Sequence, residues 1–143
     1  MIRKRNIFAY LLTTSRGDGT RIALVTFGTE AKLEFNLGDS EVDTRNKVIN
    51  AISKVKYSGG ATASTFALRL VRTVVVPNAR YDSKRAMIFI TDGKSNVGGP
   101  PKKEAAILKE KEKFEIYAVG EYFLFFVNEV LSLKIERLAA ALL

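Results

Sequence analysis

The chain has 143 residues, 47% hydrophobic and 27% charged, with a formal net charge of +8, a composition suited to one globular domain with a sizeable core. It contains no Cys and no His, which excludes thiol nucleophiles, His-based acid–base chemistry and the usual zinc sites. The redox compartment stays open, because a disulfide-free domain occurs on either side of a membrane.

In chain order, residues 4–14 predict a helix with Ile7, Phe8, Leu11 and Leu12 on one face. The basic start and apolar patch of this segment imitate a signal peptide, but the patch is short and no small-residue cleavage site follows. Arg16-Gly17-Asp18-Gly19 reads as a turn, and Arg21–Phe27 as a strand. Gly28-Thr29-Glu30 is a tight connection into Ala31–Phe35, whose alternation with Lys32 and Glu34 marks a half-exposed, edge-side antiparallel strand. Asp43 or Ser40 is set to cap a helix with Val48, Ile49, Ile52 and Val55 at helical spacing. After the loop Ser58-Gly59-Gly60-Ala61-Thr62, a third helix runs from about Ser64 to Val75 with Phe66, Ala67, Leu70, Val71 and Val74 inward. A connection over residues 77–83 leads to a strand over 86–91, then a loop to Gly99. Pro100-Pro101 open another helix. Phe114–Val119 is a strand, and a last helix covers about 128–142. Strands alternating with helices predict an α/β fold: a doubly wound, Rossmann-like, mainly parallel sheet with helices on both faces.

Lys and Arg are scattered along the chain. From Lys102 to Lys113 they alternate in sign with Glu, the pattern of a solvated helix face, so the net charge does not point to nucleic acid. The most apolar stretch, Tyr122–Val127, is far below the roughly 20 residues that span a bilayer.

One residue carries most of the chemistry. Asp92 follows Ile88-Phe89-Ile90-Thr91 and precedes Gly93, so a buried strand delivers a carboxylate to its C-terminal rim. In open α/β sheets ligands bind at that rim, and a hard divalent cation is the natural partner of an oxygen ligand there. Thr62 follows two glycines and precedes a helix, where a hydroxyl either caps the helix or meets a metal or anion. Gly93-Lys94-Ser95 ends like a phosphate-binding loop, but that pattern needs a glycine where Ile88 stands, so nucleotide hydrolysis is rejected. Arg16-Gly17-Asp18 has the form of an integrin-recognition tripeptide, in a turn where Gly and Asp are expected anyway. Without His or Cys, a nucleophile–base pair is left only the Ser/Lys combination, so no enzyme is expected.

Four strings in order now carry a resemblance. Thr20–Phe27, Tyr57–Thr62, Ile88–Asn96 and Phe114–Gly120 resemble the second strand, third-helix entry loop, fourth strand with its metal loop, and fifth strand of von Willebrand factor type A domains, nearest the extracellular matrix and adhesion branch. The resemblance covers about residues 6 to 120. It implies a metal-ion-dependent adhesion site, with Mg²⁺ or Mn²⁺ at the top of the sheet and a partner's carboxylate completing the shell. Thr62 matches that site's Thr and Asp92 its Asp, with Ser64 and Ser95 as supporting hydroxyls behind them. The family's Asp-x-Ser-x-Ser loop has no counterpart before residue 20. The family's first, central strand is therefore expected to be missing, leaving its neighbours to pair directly or leave a gap, and metal binding to be poor.

The whole chain, 1–143, is read as a single von Willebrand A-like domain, truncated at its N-terminus and atypical from about residue 121. Tyr122–Val127 is expected to fill part of the vacated sheet. The function implied is non-catalytic protein binding in adhesion or matrix contact, extracellular by resemblance, through an acidic side chain of a protein ligand. An intracellular, cytoplasmic complex-assembly module of the same fold is the alternative.

Overall fold

A computed structural model describes residues 7–15, 19–56, 60–91, 95 and 97–120. Five strands form one sheet in the order β3-β2-β1-β4-β5. They are β1 (Ile7–Ser15), β2 (Gly19–Phe27), β3 (Ala31–Phe35), β4 (Lys84–Thr91) and β5 (Phe114–Gly120). Three helices accompany them: α1 (Arg45–Ser53), α2 (Ser64–Leu70) and α3 (Lys102–Glu110).

The largest departure from the sequence reading is β1. Residues 7–15 are a strand, not part of a helix, and they occupy the middle of the sheet. The position expected to be vacant is filled, and β2 and β4 neither pair directly nor leave a gap. Nor is that position open to Tyr122–Val127, a segment that lies outside the described residues, as does the helix expected at 128–142. β1 is antiparallel to β2, with Ile7 opposite Phe27, and antiparallel to β4, with Phe8 opposite Ile90. The physical reason is ladder pairing on both sides: a central strand satisfies its N–H and C=O groups twice over, which a short isolated helix cannot match.

Because β1 runs against both neighbours, β2, β4 and β5 share one direction, and β4 pairs with β5 in parallel. β3 is the antiparallel edge strand, hydrogen-bonded to β2. Its exposed Lys32 bridges Glu34 at 2.8 Å, and Thr26 Oγ1 donates to the same carboxylate at 2.8 Å.

The sheet is covered on both faces. Ala23, Val25, Phe27, Met87, Phe89 and Phe114 bury one face against Ala67, Leu68, Val71, Val75 and Leu108 of the α2 and α3 side. Phe27 and Phe89 stack with ring centroids 4.9 Å apart, linking β2 to β4 across β1. On the other face Leu24 and Phe35 pack with Val42 and Val48 of the α1 side. Residues of β2 thus serve two cores, which explains its unbroken apolar run.

Three local expectations change. Thr44 caps α1, accepting from Lys47 N at 3.4 Å, while Asp43 pairs with Lys47 Nζ at 2.8 Å and Ser40 opens a 3₁₀ turn. In α1 Val48 is the buried residue and Ile49 is exposed. After α2 the backbone passes through a π turn at Val71–Val75. Across α2 and this turn Ala67, Leu68, Val71 and Val75 are buried while Phe66 and Val74 face outward.

The charged helix α3 also departs from a uniformly solvated face. Glu104 is buried, and it accepts from Arg69 Nε at 3.0 Å and Arg72 Nε at 2.8 Å. The Arg72 hydrogen bond is the largest influence holding its carboxyl below the ordinary glutamate range; burial opposes it and Arg69 assists.

Candidate functional site

The common direction of β2 and β4 brings their C-terminal ends, Phe27 and Thr91, to one edge of the sheet. Three segments meet there and are stitched together by backbone groups. Ala63 N donates to Gly28 O at 2.9 Å, and Ala61 N donates to Thr29 Oγ1 at 3.3 Å. Thr65 Oγ1 donates to Gly99 O at 2.6 Å. Ser95 Oγ lies 3.2 Å from Thr62 O, its nearest acceptor, with Val97 O at 3.3 Å. The turn after β2, the entry to α2 and the loop after β4 therefore hold one another.

Two glycines make this approach feasible. Gly60 has φ +97°, and a Cβ there would run into the Thr29 hydroxyl. Gly98 has φ +80°, and a Cβ would come within 2.8 Å of the Phe66 ring. Both positions combine a left-handed backbone with a close neighbour, so only glycine fits without displacement.

Thr62 is buried at this junction, and so are Ser64 and Thr65. Thr62 is not the helix cap: the cap position of α2 is Ala63, which has no side-chain capping bond. Ser95, predicted from the metal loop, is brought against Thr62. Asp92 directly follows the last residue of β4, but it lies outside the described residues. The tripeptide Arg16-Gly17-Asp18, between β1 and β2, lies outside them too. Sequence reasoning missed Thr29 and Thr65; a β-branched hydroxyl next to each glycine-rich turn was the signal available.

The donor set can be tested against a divalent cation. Thr62, Ser64 and Ser95 supply neutral hydroxyls, and no group of three or more His, Cys, Asp or Glu side chains that could hold a metal occurs among the described residues. Mg²⁺ gives up hydration water reluctantly and is usually held through carboxylates. β1 runs backwards relative to β2 and β4, so it brings no C-terminal loop to this edge. Thr62, Ser64 and Ser95 are the candidate oxygen donors among the described residues, and the carboxylate Asp92 lies outside them.

The fold and this edge define a class: an open α/β sheet with loops tied together at the C-terminal ends of its parallel strands, where such sheets bind ligands. The von Willebrand factor type A domain profile matches residues 6–139, and the chain belongs to that family. It is 33% identical over 105 residues to cuticlin-6 of Caenorhabditis elegans, covering 72% of this chain and 17% of that protein. It is 34% identical over 76 residues to bovine (Bos taurus) vitrin, covering 53% of this chain and 11% of vitrin. Among solved structures, proximal thread matrix protein 1 from the mussel byssus superposes with TM-score 0.65 at 36% identity, covering 75% of this chain and 26% of the mussel chain. That mussel protein is also solved with a zinc-occupied MIDAS motif. This chain thus spans a small part of each relative. No helix among its described residues is long and apolar enough to cross a membrane.

Proposed function

We propose that this chain is a non-catalytic protein-binding module for adhesion or matrix contact, and that it meets its ligand at the edge built by Thr62, Ser64, Ser95 and Asp92. The observation that carries the reading is the bonding of the three loops around Thr62. A junction whose backbone groups are already satisfied presents a fixed surface, so little ordering cost is paid on binding. Matrix and adhesion members of the family support the role and an extracellular setting. The partner group is an acidic side chain of a protein.

Divalent-cation binding by the chain is weak, because one carboxylate, Asp92, with neutral hydroxyls cannot offset dehydration of Mg²⁺. Isothermal titration with Mg²⁺ is expected to give no saturable heat below millimolar concentration; micromolar affinity would overturn this point.

The role itself is tested by solid-phase binding to immobilised collagens, fibronectin and laminin. Saturable binding to at least one, reduced at least tenfold by Asp92→Ala or by Thr62→Lys with the fold intact, is expected. Failure to bind any of them, or indifference to both substitutions, refutes the proposal.

A further inference from the structure

The edge opposite the Thr62 junction is built from the N-terminal ends of β2, β4 and β5. Two turns enter it side by side: residues 79–83 lead into β4, and residues 111–113 join α3 to β5. Strand register fixes their spacing. Arg85 pairs with Phe114 across the parallel β4–β5 ladder, and Lys84 and Lys113 each directly precede one member of that pair. Consecutive Cα atoms are about 3.8 Å apart and neighbouring strands about 4.8 Å, so the Cα atoms of Lys84 and Lys113 lie within about 12 Å of each other. Lys111 lies within about 8 Å of Lys113 by the same chain geometry.

The charges of this edge are unevenly matched. Arg85 Nη1 lies 3.2 Å from Glu112 O and 3.3 Å from its carboxylate, so the acid of the second turn is already engaged. Arg80 Nη2 donates to Gly19 O at 2.6 Å and ties the first turn to the start of β2. Lys84, Lys111 and Lys113 are exposed, and none has an ion-pair partner among the described residues. Against them stand Asp82 in the first turn and Glu110 and Glu115 beside the second. Glu110 has Lys109 next to it, and Glu115 accepts from Tyr117 Oη at 2.9 Å. The two turns are therefore positive as a whole.

The backbone supplies an independent signal. Lys113 holds φ 57°, a left-handed conformation penalised in residues that carry a Cβ. A lysine held where glycine would be less strained points to a role for its side chain.

We propose that this edge binds a sulfated polysaccharide through Lys84, Lys111 and Lys113. Ammonium groups on flexible stems act as point charges, which suits sulfate groups spread along a flexible chain. The cations are carried by turns at strand ends and not by a helix or ribbon of the kind that enters a duplex groove. One fully exposed ring, Tyr81, is no stacking series for a single strand. The surface is separate from the Thr62 junction, so the inference stands without the protein-binding reading of that edge.

The experiment uses the full chain and a fluorescein-labelled heparin octasaccharide, read by anisotropy at low ionic strength. Saturable binding is expected, weakening as added salt screens the contacts. Lys84→Glu/Lys111→Glu/Lys113→Glu is expected to reduce affinity at least tenfold, and the corresponding triple Gln variant by an intermediate amount. Lys56→Glu/Lys102→Glu/Lys103→Glu reverses as many exposed lysines away from this edge and is expected to act less than twofold. Lys113→Gly removes one ammonium while relieving the backbone, so affinity is expected to fall about two- to fivefold with undiminished stability. That split separates ligand contact from a structural role. Unfolding midpoints close to that of the parent chain confirm that the variants are folded. Equal losses from the two charge reversals reduce the effect to general basicity and overturn the proposal. Equal binding of the desulfated octasaccharide overturns it too. Tighter binding of a single-stranded oligonucleotide of matched charge assigns the edge to nucleic acid, also against the proposal, and absence of saturable binding removes it outright.

Discussion

Gly60 shows how much of the candidate site depends on single backbone positions. Its φ of +97° and the Thr29 hydroxyl beside it leave no room for a side chain. Gly60→Ala is expected to destabilise the protein by about 1–3 kcal/mol, through left-handed strain and displacement of the Thr29 contact. Urea denaturation measures this directly, and an unchanged midpoint would contradict it. The opposite case is Lys113, a non-glycine residue at φ 57° just after α3. Ile107 O there accepts from Lys111 N and Glu112 N, a helix ending that normally continues into glycine. Lys113→Gly is expected to raise stability by up to about 1 kcal/mol by relieving the left-handed penalty, seen as a higher urea midpoint with unchanged slope. Such positions were only half legible in the sequence. The glycines of the Gly59-Gly60 and Gly98-Gly99 pairs announce turns, but the partners Thr29 and Phe66 lie more than thirty residues away and carry no local signal. Likewise Thr62 was weighed as a helix cap, yet the cap position of α2 is Ala63, which makes no side-chain capping bond, because cap geometry is set by the turn and not by the nearest hydroxyl.

Between elements, the α2–α3 contact is fixed by one buried carboxylate gripped by two guanidinium groups. The alternation from Lys102 to Lys113 describes sequence charge and not three-dimensional position, so Glu104 could not be told from Glu110 or Glu112 by pattern alone. Its burial has a pH consequence. The folded-state pKa of Glu104 is lowered, chiefly by the Arg72 hydrogen bond, so its stabilisation is fully present above the ordinary glutamate value of about 4.3 and is lost as pH falls through the lower folded-state value. Glu104→Gln is expected to cost about 1–3 kcal/mol at pH 7. Both guanidinium groups reach water in part, which keeps the cost below that of a fully buried unpaired charge. The difference between wild type and variant, measured by urea unfolding at pH 7, 5 and 3.5, is expected to shrink only at the lowest pH. A difference that grows on acidification would reverse the sign of this argument. The phase of α2 belongs to the same scale. Helical spacing placed Phe66 and Val74 inward, but the buried stripe is Ser64, Leu68, Val71 and Val75 with Ala67, an equally regular helical spacing, so periodicity alone did not choose between the two faces.

For the whole molecule, the decisive feature is the direction of the central strand. Ile7, Phe8, Leu11 and Leu12 satisfy a helical stripe, and the run Ile7–Leu12 equally satisfies a strand buried from both sides; periodicity alone does not separate the two in so short a segment. β2, β4 and β5 were legible because their apolar runs are bounded by Gly, Pro or charge. β1 was not, because what decides it is the ladder on either side. Its orientation can be tested without interference, since the chain has no cysteine. In the observed register Thr14 is opposite Lys84 and Phe8 is opposite Ile90. Directly opposed antiparallel residues have Cα atoms about 4.5–5.5 Å apart, within the range a disulfide spans. Thr14→Cys/Lys84→Cys is therefore expected to cross-link within the chain under mild oxidation and to raise the unfolding free energy by up to about 4 kcal/mol through closure of the intervening loop. Phe8→Cys/Lys84→Cys is the reverse control. Those residues lie at opposite ends of the β1–β4 ladder when the strands are antiparallel, and near each other only if β1 is turned round. Cross-linking of the second pair and not the first, read by mobility on non-reducing gels, would restore the parallel arrangement and bring the C-terminal end of the central strand to the edge where Phe27 and Thr91 end.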